Sequence, residues 1–473
     1  PHPTPAPTST SASASSLTRR ALLGGGAAAL AGAALSAAQA PAPSPAPTPT
    51  PAPTPTPAPA ARKPAAATPE PWPLRREKIR RGWLDLLGDF PTEIPPLQPL
   101  QRKVTFEPGC PSERLNAQQR QRLKQQIAEE GGTIDRYHVS FQSEKTDRVT
   151  GWLLVPQRAQ QQPLPAMICI HSTTQGAGKD ATVGICGRTA VEAPDSSEGG
   201  RSYGLHLARY GYITLSIDLL TDGERVEPGE AVLQSRPFYK RHPGWSIVGK
   251  NTWDIMRSVD FLQTLPFVDP KHIGNVGLSL GGHSVVFAAA FEPRLAATIS
   301  IGGVLDWHRP TENWARSKGN YIYIKKFRPY VDDPKLPVPV DFDELMMLVA
   351  PRPMLILCSE WEFYNRRNLL DKCLAVAKVY RDWRDDKSQP SVLAARQTRK
   401  SYAKTLSYYK ERYNIDPPQM ETELRRIGAG DCFGWFSYPG GHSYPPIARQ
   451  YSLAWLDRWL DRENTWSGRF KRE

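Results

Sequence analysis

The sequence predicts an α/β fold in which a mostly parallel sheet carries helices on both faces. Short apolar runs bounded by turn residues recur between residues 166 and 438, and segments with helical periodicity separate them. Two longer segments before them alternate apolar and polar residues, as the strands of a β-hairpin do. Because parallel neighbours need a crossover connection, a hairpin followed by alternating strands and helices is typical of such a sheet.

The first part of the chain differs in composition from the rest and is predicted to lie outside this fold. Residues 1–40 contain the pair Arg19 and Arg20, an Ala/Gly/Leu-rich stretch and a terminal Ala-Gln-Ala, which together predict a twin-arginine export signal. The apolar stretch is too short and too rich in glycine for a stable membrane span. Residues 41–72 are a Pro/Ala/Thr tract, in which the prolines remove backbone donors and favour an extended, disordered linker.

The folded part is predicted to span residues 73–473. It opens with two helix candidates, PLRREKIRRGWLDLLGDF and NAQQRQRLKQQIAEE, and the hairpin follows in TIDRYHVSFQ and DRVTGWLLVP. The apolar runs that predict buried strands are residues 166–170, 212–218, 272–279, 296–303, 353–359 and 432–438. Helices are predicted between them at residues 201–210, 250–264, 280–291 and 368–385.

The composition argues against several classes of function. The 473-residue chain has a formal net charge of +13, but its basic residues are scattered and no base-stacking module accompanies them, so we expect no nucleic acid partner. It has no HExxH pattern, no clustered Cys/His spacing and no complete phosphate loop, so we expect neither a metal nor another cofactor. In an exported chain, Cys110, Cys186, Cys373 and Cys432 are the candidates for disulfides.

A serine between glycines is the strongest chemical signal in the chain. The segment GNVGLSLGGHSV (274–285) joins a predicted strand to an apolar helix and contains the pattern G-x-S-x-G around Ser279. A sharp strand–helix turn would lift the hydroxyl of Ser279 above the edge of the sheet, and Gly277 and Gly281 would relieve the clash where strand and helix meet. In this context, the pattern predicts a nucleophile rather than an ordinary glycine-rich turn.

A serine nucleophile needs a base, and the base needs an acid to orient it. His442 is the preferred base because it lies in a turn-rich loop directly after the last predicted strand. Glu362 is the first choice for the acid, because it follows the strand PMLILCS, with Glu360 and Asp306 as alternatives. His283 is expected to pack beside the serine turn, and His171 is expected to organise its own loop.

Two backbone N–H groups are predicted to stabilise the oxyanion that forms during acyl transfer. The first is the N–H of Leu280, at the start of the helix that follows the serine. The second comes from the loop IHSTTQGAGKD, where Thr173 is the best placed residue.

The order Ser279, acid, His442, with HSTTQGAGKD before them, resembles the α/β-hydrolase superfamily. Within it, the chain is similar to the dienelactone-hydrolase-like and acetyl-xylan-esterase-like bacterial serine hydrolases, which border the prolyl oligopeptidase catalytic domains. The matching stretches lie between residues 134 and 462 and include LHLARYGYITLSIDLL, LVAPRPMLILCSEWE and PGGHSYPPIARQYSLAWLDRWL. The resemblance implies an eight-stranded sheet and a cofactor-free reaction through an acyl-enzyme.

The chain departs from this family pattern in four places. Ser279 stands where true dienelactone hydrolases have a cysteine, and His171-Ser172 stands where His-Gly is usual. The usual aspartate is replaced by Glu362. Residues 387–431 form a long segment between acid and base, which is expected to be either a lid over the site or a peripheral helical insertion.

These features predict a periplasmic or extracellular serine hydrolase of carboxylic esters, whose substrate is a small molecule or an acylated polysaccharide. A peptidase of the prolyl oligopeptidase type is an alternative, but no propeller-sized domain precedes the catalytic part in this sequence. A second alternative is a non-catalytic, wall-associated binding protein that retains the fold.

Overall fold

The computed structural model describes residues 70–174, 176–186, 200–305, 320–333, 335–359, 366–384, 392–396, 423–427, 432–438 and 441–460. The predicted export signal lies outside the described residues, as do the predicted linker up to residue 69 and most of the segment 387–431.

The described strands form one mixed sheet of eleven strands. Their bounds are β1 (Leu100–Lys103), β2 (Ile134–Glu144), β3 (Asp147–Pro156), β4 (Leu164–Ile170), β5 (Ile213–Ile217), β6 (Val268–Leu278), β7 (Leu295–Ile301), β8 (Met354–Ser359), β9 (Val392–Arg396), β10 (Glu423–Ile427) and β11 (Phe433–Tyr438). The order across the sheet is β1-β2-β3-β5-β4-β6-β7-β8-β11-β10-β9.

Six neighbouring strands, from β5 to β11 in this order, run parallel to one another. The hairpin β2–β3 and strand β1 continue the sheet antiparallel on one side, and β10 and β9 do so on the other. The carboxyl ends of these parallel strands all lie on the same side of the sheet, so the described residues directly after them lie there too. This arrangement confirms the predicted mostly parallel α/β fold.

The helices that the structure describes separate the strands along the chain. They are α1 (Trp72–Leu87), α2 (Ala117–Glu129), α3 (Lys179–Thr182), α4 (Tyr203–Tyr210), α5 (Arg236–Arg241), α6 (Ile247–Gln263), α7 (Leu280–Phe291), α8 (Arg328–Asp332), α9 (Phe342–Met347), α10 (Arg366–Trp383) and α11 (Pro446–Trp459).

Two apolar cores lie on opposite faces of the sheet. In β4, Ile168 belongs to the core that contains α6 and α7, whereas Cys169 belongs to the core that contains α4 and α11. Successive side chains of a strand point to opposite faces, so the helices cover both sides of the sheet. Six of the seven residues of β7 are buried, and Ala296 is the exception. Such burial is expected for a strand enclosed between two helical layers.

The sheet is wider than the eight strands that the resemblance implies. The eight strands from β2 to β11 in sheet order correspond to the expected number, and β1, β10 and β9 extend them at the two edges. The described residues of the segment 387–431 are therefore strands, and the expectation of a helical insertion is wrong for β9 and β10. An uncovered edge at β11 would leave backbone N–H and C=O groups unpaired, and β10 pairs with them.

No helix in the described part of the chain combines the length and apolarity that a bilayer crossing requires. All six cysteines lie among the described residues, and no two of them are joined by a disulfide. The expectation that Cys110, Cys186, Cys373 and Cys432 supply disulfides is therefore not met in this structure.

Candidate active site

Ser279 occupies the sharp corner between β6 and α7 that the sequence predicts. Its φ is 59° and its ψ is −116°, a backbone conformation that residues other than glycine rarely adopt. The corner is held by a hydrogen bond from the Ser279 N–H to the Ile301 carbonyl oxygen (2.8 Å) and by one from the His283 N–H to the Ser279 carbonyl oxygen (2.8 Å). The side chain of Ser279 is partly exposed at the edge of the sheet.

The glycines of this corner allow close contacts between backbones. A Cβ on Gly277 would lie 2.3 Å from the carbonyl carbon of Gly281, and a Cβ on Gly281 would lie 1.9 Å from the carbonyl oxygen of Ile170. Neither position has room for a side chain. The second contact also places the start of α7 directly against the end of β4, where the predicted oxyanion loop begins.

Both predicted oxyanion donors have N–H groups with no acceptor among the described residues. Leu280 is the first residue of α7, so its N–H cannot reach an acceptor within the helix. Thr173 lies in the loop between β4 and α3 and is partly exposed, whereas Ser172 and Thr174 on either side are buried. These two N–H groups are therefore available to a ligand.

His171 organises the oxyanion loop, as the sequence predicts. Its Nε2 accepts a hydrogen bond from the Leu219 N–H (2.9 Å), so the ring proton resides on Nδ1, which donates to the Ser172 carbonyl oxygen (2.7 Å). The side chain is fully buried. His171 is thus a structural residue that ties the loop to the segment after β5. On the other side of the loop, Arg201 Nη1 donates to Ser172 Oγ (3.1 Å).

His442 lies in the loop between β11 and α11. Tyr438, the last residue of β11, donates its hydroxyl to the Ser443 carbonyl oxygen (2.7 Å). The ring of Tyr444 makes an edge contact with Tyr203, with ring centroids 6.1 Å apart. A Cβ on Gly200 would lie 2.0 Å from the Tyr444 carbonyl oxygen. The loop that carries His442 is therefore packed against the segment that precedes α4.

Tyr203 connects the histidine loop to the oxyanion loop. Its hydroxyl donates to the carbonyl oxygen of Ile170, the same oxygen that Gly281 approaches. Burial raises the pKa of the Tyr203 hydroxyl well above its usual value, so the group remains a donor. The contacts through Ile170, Tyr203 and Tyr444 bring the serine corner, the oxyanion loop and the histidine loop to one place.

Ser279 and His442 are not hydrogen-bonded to each other in this structure. Such bonds are often long in the absence of substrate and shorten only when the substrate is bound. The candidate acids Glu362, Glu360 and Asp306 lie outside the described residues. His283 is buried and packs its ring against Phe287, Tyr323 and Phe342 beside the serine corner, as predicted.

Sequence reasoning missed a buried charged network behind the oxyanion loop. Lys179, at the start of α3, is 1% exposed and donates to Asp218 Oδ2 (2.6 Å) and to Glu224 Oε1 (2.9 Å). Burial disfavours the charged forms, but the pairing outweighs it: the pKa of Lys179 lies above its usual value and that of Glu224 lies well below. The signal in the sequence was the acidic stretch DLLTDGE directly after a buried strand.

No group of three or more His, Cys, Asp or Glu side chains in the described ranges is arranged to hold a metal ion. The described part of the candidate site contains a serine, a histidine and backbone N–H donors, the kinds of group that acyl transfer requires.

Comparison with known proteins connects the chain to esterases. A family model described as glucuronyl esterase, fungi, matches residues 234–383, a range that includes Ser279. A Bacillus subtilis protein with the name "Putative hydrolase YtaP" is 25% identical over 316 residues, which cover 66% of this chain and 84% of that protein. The 4-O-methyl-glucuronoyl methylesterase 1 of Wolfiporia cocos is 30% identical over 121 residues, which cover 22% of this chain and 29% of that protein.

Two solved structures share the fold. A glucuronoyl esterase from Solibacter usitatus superposes with a TM-score of 0.53 at 16% identity, covering 81% of this chain and 91% of that one. A glucuronoyl esterase from Teredinibacter turnerae superposes with a TM-score of 0.52 at 16% identity, covering 82% and 84%. At these identities, the structures support the fold, and the sequence matches support the class of enzyme. The family model and the curated relatives support a carboxylic ester hydrolase, and the chain shares the fold of these solved esterases.

Proposed function

We propose that the chain is an exported serine esterase that hydrolyses esters of acidic polysaccharides through an acyl-enzyme. In this proposal Ser279 is the nucleophile, His442 the general base and Glu362 the acid that orients His442. The observation that carries the proposal is the positive φ of Ser279 at a strand–helix corner whose glycines leave no room for side chains. Such strain is retained only where the surrounding structure enforces it, and it is concentrated at functional sites.

The proposed reaction needs only groups of this chain and water. Ser279 Oγ attacks the ester carbonyl carbon while His442 takes the hydroxyl proton, and the N–H groups of Leu280 and Thr173 stabilise the oxyanion. The tetrahedral intermediate collapses, the carbon–oxygen bond to the alcohol breaks, and His442 protonates the leaving alcohol. Water, deprotonated by His442, then attacks the acyl-enzyme and releases the acid and free Ser279.

The substrate class is inferred from the relatives and from charge. The curated relatives include 4-O-methyl-glucuronoyl methylesterases, and the matching family model is a glucuronyl esterase. The chain has a net charge of +13, which favours association with polymers that carry uronic acids. A twin-arginine signal followed by an extended linker suits an enzyme that acts on such a polymer outside the cytoplasm.

A substrate panel tests the proposal. Purified protein is assayed with an alkyl ester of glucuronic acid, acetylated xylan, p-nitrophenyl acetate, a feruloyl ester and a peptide amide, with Ser279→Ala as the matched control. We expect hydrolysis of the glucuronate ester with the highest kcat/KM and its loss in Ser279→Ala. Preference for acetylated xylan or the feruloyl ester would contradict a uronate ester as the substrate but would still agree with an esterase. Cleavage of the amide alone would favour a peptidase, and no turnover of any substrate would favour a binding protein.

A further inference from the structure

The oxyanion loop needs an anchor that fixes the direction of the Thr173 N–H. An N–H of a surface loop adopts many directions unless its neighbours are tied down, and a donor stabilises an oxyanion only when it is already aimed at it. In this structure the N–H of Thr173 has no acceptor among the described residues. By contrast, Thr174, Gly176 and Gly178, which follow it, all donate their N–H groups to side chains.

Asp222 receives most of these bonds. Its carboxylate is fully buried in the segment after β5. Oδ1 accepts from the Gly176 N–H (2.7 Å), and Oδ2 accepts from the Thr174 hydroxyl (3.1 Å) and, at longer range, from the Thr174 N–H (3.4 Å). The Thr174 hydroxyl oxygen in turn accepts from the Gly178 N–H (2.6 Å). One side chain therefore holds the loop immediately after Thr173.

The anchor is itself fixed to the sheet. Oδ1 of Asp222 also accepts from the Gly223 N–H (2.8 Å), and the Asp222 N–H donates to the Leu219 carbonyl oxygen (3.2 Å), which closes a tight turn. The Leu219 N–H donates to His171 Nε2, two residues before Thr173. The segment after β5 thus holds the loop on both sides of Thr173: its Leu219 N–H binds His171 before Thr173, and its Asp222 carboxylate binds Thr174 and Gly176 after it.

We propose that Asp222 is a positioning residue for catalysis: its carboxylate holds Thr174 and Gly176 so that the Thr173 N–H is directed at the developing oxyanion. The inference rests on the proposed serine esterase function. A carboxylate is required because four donors converge on it and a carboxylate is acceptor-only. An asparagine keeps one oxygen, which can serve Gly176 and Gly223, but its amide group would face the Thr174 N–H and could not accept from it.

The test compares Asp222→Asn, Asp222→Ala and the control Asp457→Asn. Asp457, on α11, is another buried aspartate, and its carboxylate accepts hydrogen bonds from the hydroxyl groups of Tyr210 and Tyr212, which lie outside the oxyanion loop. Sites are first titrated with a fluorophosphonate, so that kcat is expressed per reactive Ser279 and unfolded protein does not contribute. The affinity of a trifluoromethyl ketone, which forms an oxyanion-like adduct, is measured beside the KM of p-nitrophenyl acetate.

We expect kcat per titrated site to fall roughly tenfold in Asp222→Asn and about a hundredfold in Asp222→Ala, close to the loss of one oxyanion donor. The KM should change less than about threefold, whereas the affinity for the ketone should fall in parallel with kcat, because only the oxyanion uses the Thr173 N–H. Asp457→Asn should keep the wild-type kcat per site.

An unchanged kcat per site in both Asp222 variants would contradict the inference, and so would equal losses in Asp457→Asn. If fewer active sites react with the fluorophosphonate but those that react have a normal kcat, Asp222 has a purely structural role, which also contradicts the inference. If the wild-type protein neither labels nor turns over any ester, the proposed function itself fails and the inference falls with it.

Discussion

At the scale of single residues, the serine corner depends on the absence of side chains around it. Ser279 adopts a backbone conformation that costs about 1–3 kcal/mol for a residue with a Cβ. The neighbouring glycines at 277 and 281 approach other backbone atoms more closely than any Cβ would permit. The corner is therefore a property of at least three residues, and the strain at Ser279 is balanced by packing at its neighbours.

Gly281→Ala should disrupt this corner. Its new Cβ would lie 1.9 Å from the Ile170 carbonyl oxygen, and backbone cannot move aside as a flexible side chain can. We expect the free energy of unfolding to fall by roughly 2–3 kcal/mol and kcat by at least about tenfold. Urea denaturation and ester hydrolysis measure the two effects. Gly244→Ala is the control, since nothing lies within 4 Å of its Cβ position, and it should change stability by less than about 0.5 kcal/mol.

Substitutions of single residues also test which carboxylate orients His442. Glu362→Gln should lower kcat by roughly 10³–10⁴-fold with little change in KM, because a neutral amide neither stabilises the imidazolium of His442 nor enforces its tautomer. The parallel variants Glu360→Gln and Asp306→Asn should retain most activity. Steady-state kinetics on p-nitrophenyl acetate separates the three, and a large loss confined to Asp306→Asn would assign the acid to the loop after β7 instead.

At the scale of secondary-structure elements, the segment after β5 is joined to α3, which follows the oxyanion loop, by ion pairs with Lys179. Asp218 accepts from the backbone N–H of Lys179 (2.8 Å) as well as from its ammonium group. Glu224 accepts from Lys179 and contacts His138 on β2. Breaking such a buried pair by removing one partner is costly because the other charge remains buried.

Lys179→Met should therefore lower the free energy of unfolding by about 3–5 kcal/mol at neutral pH. It should also change the acid response. In the native protein, burial opposes ionisation of Glu224, but its bonds to His138 and Lys179 outweigh burial and hold its pKa well below the ordinary value of 4.5. This stabilisation is complete above pH 4.5 and is lost as the pH falls towards the native pKa.

Denaturation at a series of pH values measures this effect. The wild-type free energy of unfolding should decrease as the pH falls below 4.5, and the decrease should be shallower in Lys179→Met. Lys145→Met is the control, because Lys145 forms an ion pair whose two side chains are both 82% exposed, and it should behave as the wild type. An equally steep acid response in Lys179→Met would show that Lys179 does not lower the pKa of Glu224.

The elements of the core could be predicted because burial shapes their sequences. The six apolar runs became β4, β5, β6, β7, β8 and β11, since strands covered on both faces contain almost only apolar residues. The strands β1 and β10 were not predicted because they are short and polar, as LQRK and ELRRI show, and β9 (VLAAR) was not predicted because it is a short apolar stretch without alternation. All three pair at the sides of the sheet. Such pairing is a tertiary effect that local periodicity does not encode.

Part of the local geometry at the candidate site could also be predicted from the sequence. Ser279 and Leu280 follow from a local motif, and His171 was correctly interpreted as a residue that organises its loop. The role of Asp222 was not visible, because it depends on hydrogen bonds between residues 46 to 48 positions apart. Long-range polar contacts of this kind leave no periodic pattern in a single sequence.

At the scale of the whole molecule, the parallel sheet brings distant parts of the chain to one edge. The oxyanion loop follows β4, Ser279 follows β6 and the histidine loop follows β11, with β7 and β8 between the last two. In open α/β sheets, ligands bind beyond the carboxyl ends of the strands. The architecture thus places residues separated by up to 269 positions, from Thr173 to His442, at the same end of the parallel strands.

The net charge of +13 gives a prediction for the molecule as a whole. Raising NaCl from about 20 mM to about 0.5 M shortens the screening length several-fold, so the KM for a glucuronate ester on an anionic xylan should rise several-fold. The KM for p-nitrophenyl acetate, which is neutral, should stay nearly constant and is the internal control. Equal salt dependence of the two substrates would contradict an electrostatic role in binding the polymer.

Covalent labelling provides a direct test of Ser279 as the catalytic nucleophile. The protein is incubated with a fluorophosphonate, digested, and the labelled peptide is identified by mass spectrometry. We expect a single adduct on Ser279, formed in step with the loss of esterase activity and absent from Ser279→Ala. Inactivation with the adduct on another residue, or full activity in Ser279→Ala, would contradict it.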